Sequence, residues 1–130
     1  MSERANKDLV VRLIEQVWNA GKVELLPRLW AEETRADALA LHQVLTDAFP
    51  DLRVDIEELV AGQDRVVARL RLHGTHRGEF LGAEPTQRPV TFTAIRIYRI
   101  AGGRIVEALA DQDAMGLLQQ LREAETAPDS

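Results

Sequence analysis

The segment from Val90 to Gly116 reads VTFTAIRIYRIAGGRIVEALADQDAMG, and it predicts a long β-hairpin. Its threonine, isoleucine and tyrosine side chains favour strands, and the alternation is partial, as expected where both faces are partly covered. The turn falls at Gly102 and Gly103, because glycine tolerates the positive φ that tight turns need. The second strand ends in Asp111 and Asp113, and carboxylates at the end of an apolar strand require an explanation.

Three helices are predicted ahead of the hairpin, over residues 6–20, 23–31 and 35–49. The first and third carry apolar residues at a 3.6-residue period, which is typical of helices packed on a core. Asn6 or Ser2 can cap the first helix, and Gly21 stands where that helix should end.

Two residues on the apolar stripes of these helices have both a structural and a functional interpretation. Trp18 closes the stripe of the first helix, where it fits the core and also a substrate pocket. His42 lies on the stripe of the third helix, one turn before Leu45. It can be a hydrogen-bonded histidine at the helix edge, or it can look into a pocket.

Strands are predicted over 52–60 and 65–75, where apolar and polar residues alternate, and the arginine face of the second should meet solvent or a partner subunit. A loop over 79–89 leads to the hairpin, and a short helix follows over 114–123. Segregated helices and sequential antiparallel strands indicate an α+β domain. A bent sheet on these helices would enclose a cavity. One domain is predicted over residues 1–130, with frayed ends at 1–5 and 124–130.

The overall composition excludes several classes of protein. A net charge of −5 disfavours nucleic acid and anionic membranes as partners, because both require a basic patch. No apolar run approaches the roughly 20 residues of a membrane span. The sequence contains no cysteine and begins without the apolar core of a signal peptide, which fits a cytoplasmic protein.

Common cofactor and nucleophile motifs are absent from the sequence. There is no glycine-rich phosphate loop, no His-Glu-x-x-His and no nucleophile elbow. His73 and His76 are three residues apart, which on a strand places them on opposite faces, so no metal site is predicted. The remaining possibility is cofactor-free chemistry by carboxylate, histidine, arginine and tyrosine side chains.

The last strand offers the best candidates for such chemistry. By alternation, one face carries Glu107, Leu109, Asp111 and Asp113, and the other carries Ala108, Ala110 and Gln112. One face should look into the cavity, although a bulge would reverse the alternation. A carboxylate in an apolar cavity has its pKa raised towards the range useful for proton transfer, and Arg96 or Tyr98 could hold a developing oxyanion. Asp113 can instead cap the terminal helix, and the two roles can coexist.

Six segments keep a common order along most of residues 6–121, and they are Asp8–Gly21, Ala48–Val54, Gly74–Gly82, Arg88–Thr93, Gly103–Glu107 and Asp113–Leu121. Together they resemble the SnoaL-like polyketide cyclases of the nuclear transport factor 2-like superfamily. The resemblance implies a cone-shaped α+β fold around a hydrophobic pocket, and a homodimer packed through the sheets.

The resemblance also implies ring closure by intramolecular aldol condensation, without metal or cofactor. The family ending Trp-Asp-x-Leu-Gly matches Gln112-Asp113-Ala-Met-Gly, which carries the catalytic role over to Asp113. An apolar small molecule is then the expected partner. The predicted substrate-binding residues are Trp18, His42, His76, Arg96, Tyr98 and Asp111.

Two departures from the family pattern leave a second function open. Family members have a strand with a His-Asp pair and a loop where this chain passes almost directly from Trp30 to Ala36, so the first strand is expected to be missing. Gln112 replaces the usual tryptophan. The two hypotheses are therefore a cofactor-free cyclase or isomerase acting on a small apolar carbonyl compound, and a non-catalytic ligand-binding or dimerisation module on the same fold.

Overall fold

The computed structural model describes residues 3–80 and 82–112, with the backbone alone for residues 110–112. Helical segments come first and four strands follow, which confirms the predicted α+β class. The elements are α1 (Glu3–Arg12), a π-helical segment (Leu13–Asn19), a 3₁₀ turn (Val23–Leu25), α2 (Leu26–Leu29), α3 (Glu32–Ala48), β1 (Arg53–Gly62), β2 (Arg65–Thr75), β3 (Pro89–Ala101) and β4 (Arg104–Gln112). No described helix is long and apolar enough to cross a membrane.

The four strands form one antiparallel sheet in sequence order. On β3, buried and outward-facing residues alternate strictly. Arg96 and Tyr98 belong to the inner, buried face, whereas Ile95 and Ile97 belong to the outer face. The alternation looked only partial in the sequence because the charged Arg96 lies on the buried face, whereas the apolar Ile95 and Ile97 lie on the outer face.

The helices cover the inner face of the sheet and form one core with it. Apolar residues of α1 and the π-helical segment supply one side of the core, and alternate residues of β2 and β3 supply the other. The fully or almost fully buried members include Val10, Ile14, Val17, Leu29, Leu45, Phe49, Val66, Leu70, Phe92, Tyr98 and Ile105. Burial of this apolar area is the main force that holds helices and sheet together.

The first helix differs from its prediction at both ends. It begins at Glu3, so Asn6 lies inside it, buried against the core, and does not cap it. From Leu13 the backbone widens into a π-helix that ends at Asn19, before Gly21 with a φ of +73°. The Asn19 side-chain amide donates to the carbonyl oxygen of Val54 (2.9 Å) and accepts from the Val54 amide (2.7 Å), which protects the free edge of β1.

The described residues between α2 and α3 form a single bridge and no strand. Trp30 makes a single parallel bridge with Ile105, and the Ala31 amide donates to the Ile105 carbonyl at 2.9 Å. Helix α3 then begins at Glu32, three residues earlier than predicted. Along this edge of β4 the described chain supplies one bridge at the place where the family pattern has a strand.

A tightly packed region, here called the closed end, joins the end of α3 to the loop after β2. The amides of Arg77 and Gly78 both donate to the Ala48 carbonyl, which satisfies the end of α3. A Cβ on Gly78 would collide with the Asp47 carbonyl oxygen, so glycine is required there. The rings of Phe80 and Phe92 pack on Phe49, with centroids 5.3 and 6.0 Å away.

The arginine face predicted for β2 is the outer face of the sheet. Glu57 lies 2.6 Å from Arg71 and 3.9 Å from Arg69, and Glu58 lies 3.4 Å from Arg69. The register of β1 slips between Ile56 and Glu58, which brings both glutamates opposite these arginines. Such exposed pairs contribute little stability each, about 1 kcal/mol or less.

Candidate functional site

One interior crevice brings together four of the predicted site residues and Trp30; we call these five residues the polar crevice. Trp18 comes from the π-helical segment, His42 from α3, and Arg96 and Tyr98 from the inner face of β3. The open volume is about 10 Å³, and a second crevice lined by Trp18, Arg96 and Tyr98 has the same volume. Each space is about the size of one water.

The polar crevice contains four buried polar atoms without a hydrogen-bond partner among the described residues. They are Trp30 Nε1, His42 Nε2, Arg96 Nε and the Tyr98 hydroxyl oxygen. More than nine in ten buried backbone groups, and the large majority of buried side-chain polar atoms, have partners in folded proteins. A cluster of unpartnered groups on one crevice is therefore suited to a water or a ligand with polar atoms.

The electrostatics of the polar crevice are set by Arg96 and Tyr98. The guanidinium carbon of Arg96 lies 5.5 Å from the centre of the Tyr98 ring, a cation–π contact. Burial raises the pKa of Tyr98 above its usual 10.0, and the neighbouring Arg96 charge offsets part of that rise. Tyr98 therefore stays protonated at neutral pH and can donate a hydrogen bond. Among the described side chains, no carboxylate lies within 4 Å of Arg96.

Aromatic contacts hold the polar groups in place. The ring of His42 lies 5.0 Å from that of Trp18, tilted by 57°. The ring of Trp30 meets Tyr98 edge-on at 6.4 Å. Trp18 packs against the core and also lines the crevice. His42 is buried on the crevice, and its Nε2 has no hydrogen-bond partner among the described residues.

A larger opening adjoins the polar crevice; we call it the side cleft. It lies between α3 and β4, has a volume of about 240 Å³, and is lined by Trp30, Thr34, Asp37, Ala38, Leu41, Arg96, Glu107 and Ala108. Trp30, Ala38, Leu41 and Arg96 line both the side cleft and the crevice. The two spaces therefore meet at shared walls.

His76 is not brought to the polar crevice. It is fully buried at the closed end, where its Nδ1 accepts from the Thr86 amide (3.2 Å) and its ring lies 5.9 Å from Phe49. Arg96 pairs with Ala68 of β2, whereas His76 follows Thr75, the last residue of that strand. Thr75 lies seven positions beyond Ala68, a distance of about 23 Å along the strand at about 3.3 Å per residue. The strand pattern could not show this, because His76 follows the last residue of β2.

His73, considered with His76 as a metal pair, lies on the other face of the sheet. Its Nε2 is 2.9 Å from Asp55, and its Nδ1 is 3.2 Å from Thr91. The predicted separation of the two histidines to opposite faces therefore agrees with the structure.

The carboxylates of the last strand are only partly described. The register shifts between Arg99 and Ile100, and beyond the shift Asp111 pairs with Ile95, which is 43% exposed on the outer face. Glu107 and Leu109 are exposed, whereas Ala108 is half-buried beside the cleft. The Asp111 side chain, Asp113 and the predicted terminal helix lie outside the described residues.

Trp30 was not among the predicted site residues. It was assigned to the apolar face of the second helix, but it stands after α2, and its indole nitrogen is buried without a described partner. The sequence did contain a sign of this role, because Trp30 directly precedes the shortened segment. Where no strand covers the edge of β4, the residue beside the shortened segment contacts that edge instead, and Trp30 does so through its bridge to Ile105.

Comparisons with known proteins agree with this architecture. A family model described as SnoaL-like polyketide cyclase matches residues 8–121, and no curated protein matches. The chain is similar to AclR of Streptomyces galilaeus, a candidate hydroxylase, with 27% identity, a TM-score of 0.84, and coverage of 99% of this chain and 86% of AclR.

Two further solved structures carry cyclase descriptions. A candidate SnoaL-like polyketide cyclase from Jannaschia sp. CCS1 has 26% identity and a TM-score of 0.83, covering 98% of this chain and 95% of that one. IdmH of Streptomyces antibioticus, a candidate polyketide cyclase, has 29% identity and a TM-score of 0.79, covering 90% and 98%. These matches confirm the nuclear transport factor 2-like fold.

Proposed function

The chain belongs to the SnoaL-like polyketide cyclase family, and we propose that it is a cofactor-free acid/base enzyme, a cyclase or isomerase of the aldol type, acting on a small apolar carbonyl compound. The observation that carries the proposal is the polar crevice, in which unpartnered donors share an otherwise apolar space. Fold alone does not select the reaction, because the similar structures include a candidate hydroxylase as well as candidate cyclases.

Arg96 and Tyr98 are the proposed oxyanion-stabilising pair. An enolate or alkoxide forms when a proton leaves the carbon next to a carbonyl, and its negative oxygen needs fixed donors. The raised pKa of Tyr98 keeps its hydroxyl as a donor, and Arg96 supplies a positive charge beside it. In a site shielded from water these contacts stabilise charge more strongly than they would in solution.

Asp113 is the proposed proton shuttle, on the strength of the matching Gln112-Asp113-Ala-Met-Gly ending. It would take the proton from the carbon beside one carbonyl, and the resulting carbanion would form a bond to a second carbonyl carbon. The same carboxyl would then return the proton to the new alkoxide, so nothing is consumed. Trp18 and His42 would hold the apolar body of the substrate, Asp111 remains a predicted substrate-binding residue, and His76 has no proposed contact with it.

The test is turnover of 1,5-diketones that carry an acidic methylene, with ring-closed product separated by chromatography. Asp113→Asn should lower the rate by about 10²–10⁴, the usual effect of losing a general acid or base. Asp64→Asn, in the exposed turn between β1 and β2, is the matched control and should keep the parental rate. Equal rates for Asp113→Asn and the parent would remove Asp113 from the proposal.

A non-catalytic ligand-binding module is the second candidate. It is favoured by the small interior, since each crevice holds only about 10 Å³. This candidate expects an apolar ligand to bind equally well to the parent and to Asp113→Asn. Multiple turnovers of any ligand would end it.

We also propose a homodimer packed through the sheet. Four apolar residues pair in a row across the outer face, and this apolar row consists of Val60, Val67, Ile97 and Leu109. Val60 and Leu109, at the two ends of the row, are more than half exposed, and a contiguous exposed apolar row is typical of an interaction surface. Val67→Lys should shift the sedimentation coefficient from dimer to monomer, and Val44→Lys, exposed on α3, should not.

Two further predictions are kept as part of the proposal. A cytoplasmic location is consistent with a sequence that lacks cysteine, and cell fractionation would test it. A single domain over residues 1–130 predicts one cooperative unfolding transition that is the same by fluorescence and by circular dichroism.

A further inference from the structure

The side cleft is lined by a charged group, the guanidinium of Arg96, that no described carboxylate neutralises. Arg96 is 91% buried by area, and its Nε has no partner among the described residues. An arginine keeps its charge in proteins, and burying an unpaired charge is costly. The guanidinium therefore has a capacity to bind an anion that no described side chain uses.

The position of the side cleft follows from the shortened segment after α2. Among the described residues on this edge, Trp30 alone bridges to β4, and α3 begins two residues later, so these residues leave an opening between α3 and β4. The carboxylates that line this opening, Asp37 and Glu107, are exposed, and Glu107 lies 3.8 Å from Arg99. Water screens these rim charges, whereas the Arg96 charge is shielded from water.

We propose that the side cleft binds a carboxylate carried on a small apolar body, and that Arg96 is the residue that selects for the carboxylate. The planar guanidinium matches a carboxylate through two parallel hydrogen bonds, which gives both strength and orientation. Ala38 and Leu41 supply apolar surface beside it, and the Trp30 indole supplies one more donor.

The volume of the side cleft limits the size of the ligand. At about 240 Å³ it lies below the roughly 300 Å³ at which drug-sized sites begin. A body of one or two fused rings is therefore the expected size. This inference rests on the proposed function in one respect, because it takes the ligand of the side cleft to be the substrate of the proposed enzyme. That substrate would then be a carboxylic acid whose carbonyl groups lie near Tyr98.

The test compares binding of 2-naphthoate and of its neutral isostere 2-naphthamide by isothermal titration at pH 7. The parent should bind the carboxylate at least about tenfold more tightly, a difference of about 1.4 kcal/mol. Arg96→Gln should abolish the preference, and Arg96→Lys should keep part of it. The matched control Arg71→Gln, on the outer face of β2 and not among the residues that line the side cleft, should keep all of it. Equal affinities in the parent, or an unchanged preference in Arg96→Gln, would overturn the proposal.

A second pair of variants locates the binding site. Ala38→Leu places three more carbons into the side cleft and should weaken 2-naphthoate binding about tenfold or more, while Ala40→Leu, exposed on the same helix, should leave it unchanged. Unchanged binding in Ala38→Leu would overturn the assignment to the side cleft. Failure here is separable from failure of the proposed enzyme, because naphthoate binding needs no turnover and diketone turnover needs no carboxylate.

Discussion

The closed end and the polar crevice lie on the same inner face of the sheet, but they differ in whether their polar groups have hydrogen-bond partners. At the closed end, both carboxylate oxygens of Asp51 accept 2.7 Å hydrogen bonds from Thr75, and the Ala48 carbonyl accepts two amides. Only His76 Nε2 lacks a described partner there, whereas four side-chain atoms of the polar crevice lack one. The described residues therefore complete nearly all hydrogen bonds of the first region, and they leave four polar atoms of the second without a partner.

This difference indicates that the polar crevice lowers the stability of the fold. Buried polar atoms without partners each cost about 1–3 kcal/mol, and consistent packing elsewhere must offset that cost. Violations of local rules are expected at functional sites, where stability and activity compete. Variants at the closed end should therefore damage folding, and variants in the polar crevice should damage function alone.

The largest expected effect is at Gly78. Gly78→Ala forces a methyl group against the Asp47 carbonyl oxygen and separates the loop from the end of α3. The free energy of unfolding in urea should fall by about 3 kcal/mol, as for other overpacked sites. Gly62→Ala is the control, because a Cβ there meets nothing within 4 Å, and it should change stability little. An equal loss in both variants would show that the close approach is unimportant.

A smaller effect is expected when a hydrogen bond of the closed end is removed. Thr86→Val deletes the hydroxyl that lies 3.1 Å from Nδ1 of His76 while keeping the shape of the side chain. Stability should fall by about 1 kcal/mol. Thr93→Val, on the exposed face of β3, supplies the comparison and should not be destabilised.

The contribution of Asp51 should depend on pH. Hydrogen bonds from Thr75 lower the pKa of Asp51 below its usual 3.8, so the ionised form stabilises the folded state. That contribution is complete at pH values above 3.8 and is lost as the pH falls through the lowered pKa. Asp51→Asn should therefore be less stable than the parent at pH 7, and the gap should narrow below pH 4. A gap that is constant from pH 7 to pH 3 would exclude the charge as its cause.

The smallest effect on folding is expected in the polar crevice itself. Tyr98→Phe removes a hydroxyl that interacts with the Arg96 side chain but forms no regular hydrogen bond with a described residue, so stability should stay within about 1 kcal/mol of the parent or rise. Turnover of the diketones should nevertheless fall about tenfold or more, because an oxyanion donor is lost. Loss of stability without loss of turnover would reverse the assigned roles.

The regular parts of the molecule were predictable from the sequence. Strand β2 runs over 65–75 as predicted, and the predicted hairpin corresponds to β3 and β4. The stripes of the helices likewise placed Trp18 and His42 on the core side. These predictions succeed because burial on one face imposes a fixed period on the sequence.

The irregular parts were not predictable in the same way. A π-helical segment keeps the apolar spacing of an α-helix closely enough that Leu13–Asn19 looked like a continuation of the first helix. The register shift at Arg99 depends on pairing with β4, and the place of His76 depends on a loop that pairs with no neighbouring strand. Trp30 was missed because its role depends on a single bridge to β4 in a segment where the described residues form no strand.

The most direct test of the central claim is the stability of Arg96→Met, measured by urea unfolding at pH 7. Methionine keeps much of the side-chain volume and removes the charge. If the polar crevice is left unfinished for a ligand, the variant should be as stable as the parent or up to about 2 kcal/mol more stable. A loss of about 3 kcal/mol or more would mean that Arg96 belongs to a buried ion pair that holds the fold together, and it would contradict the account.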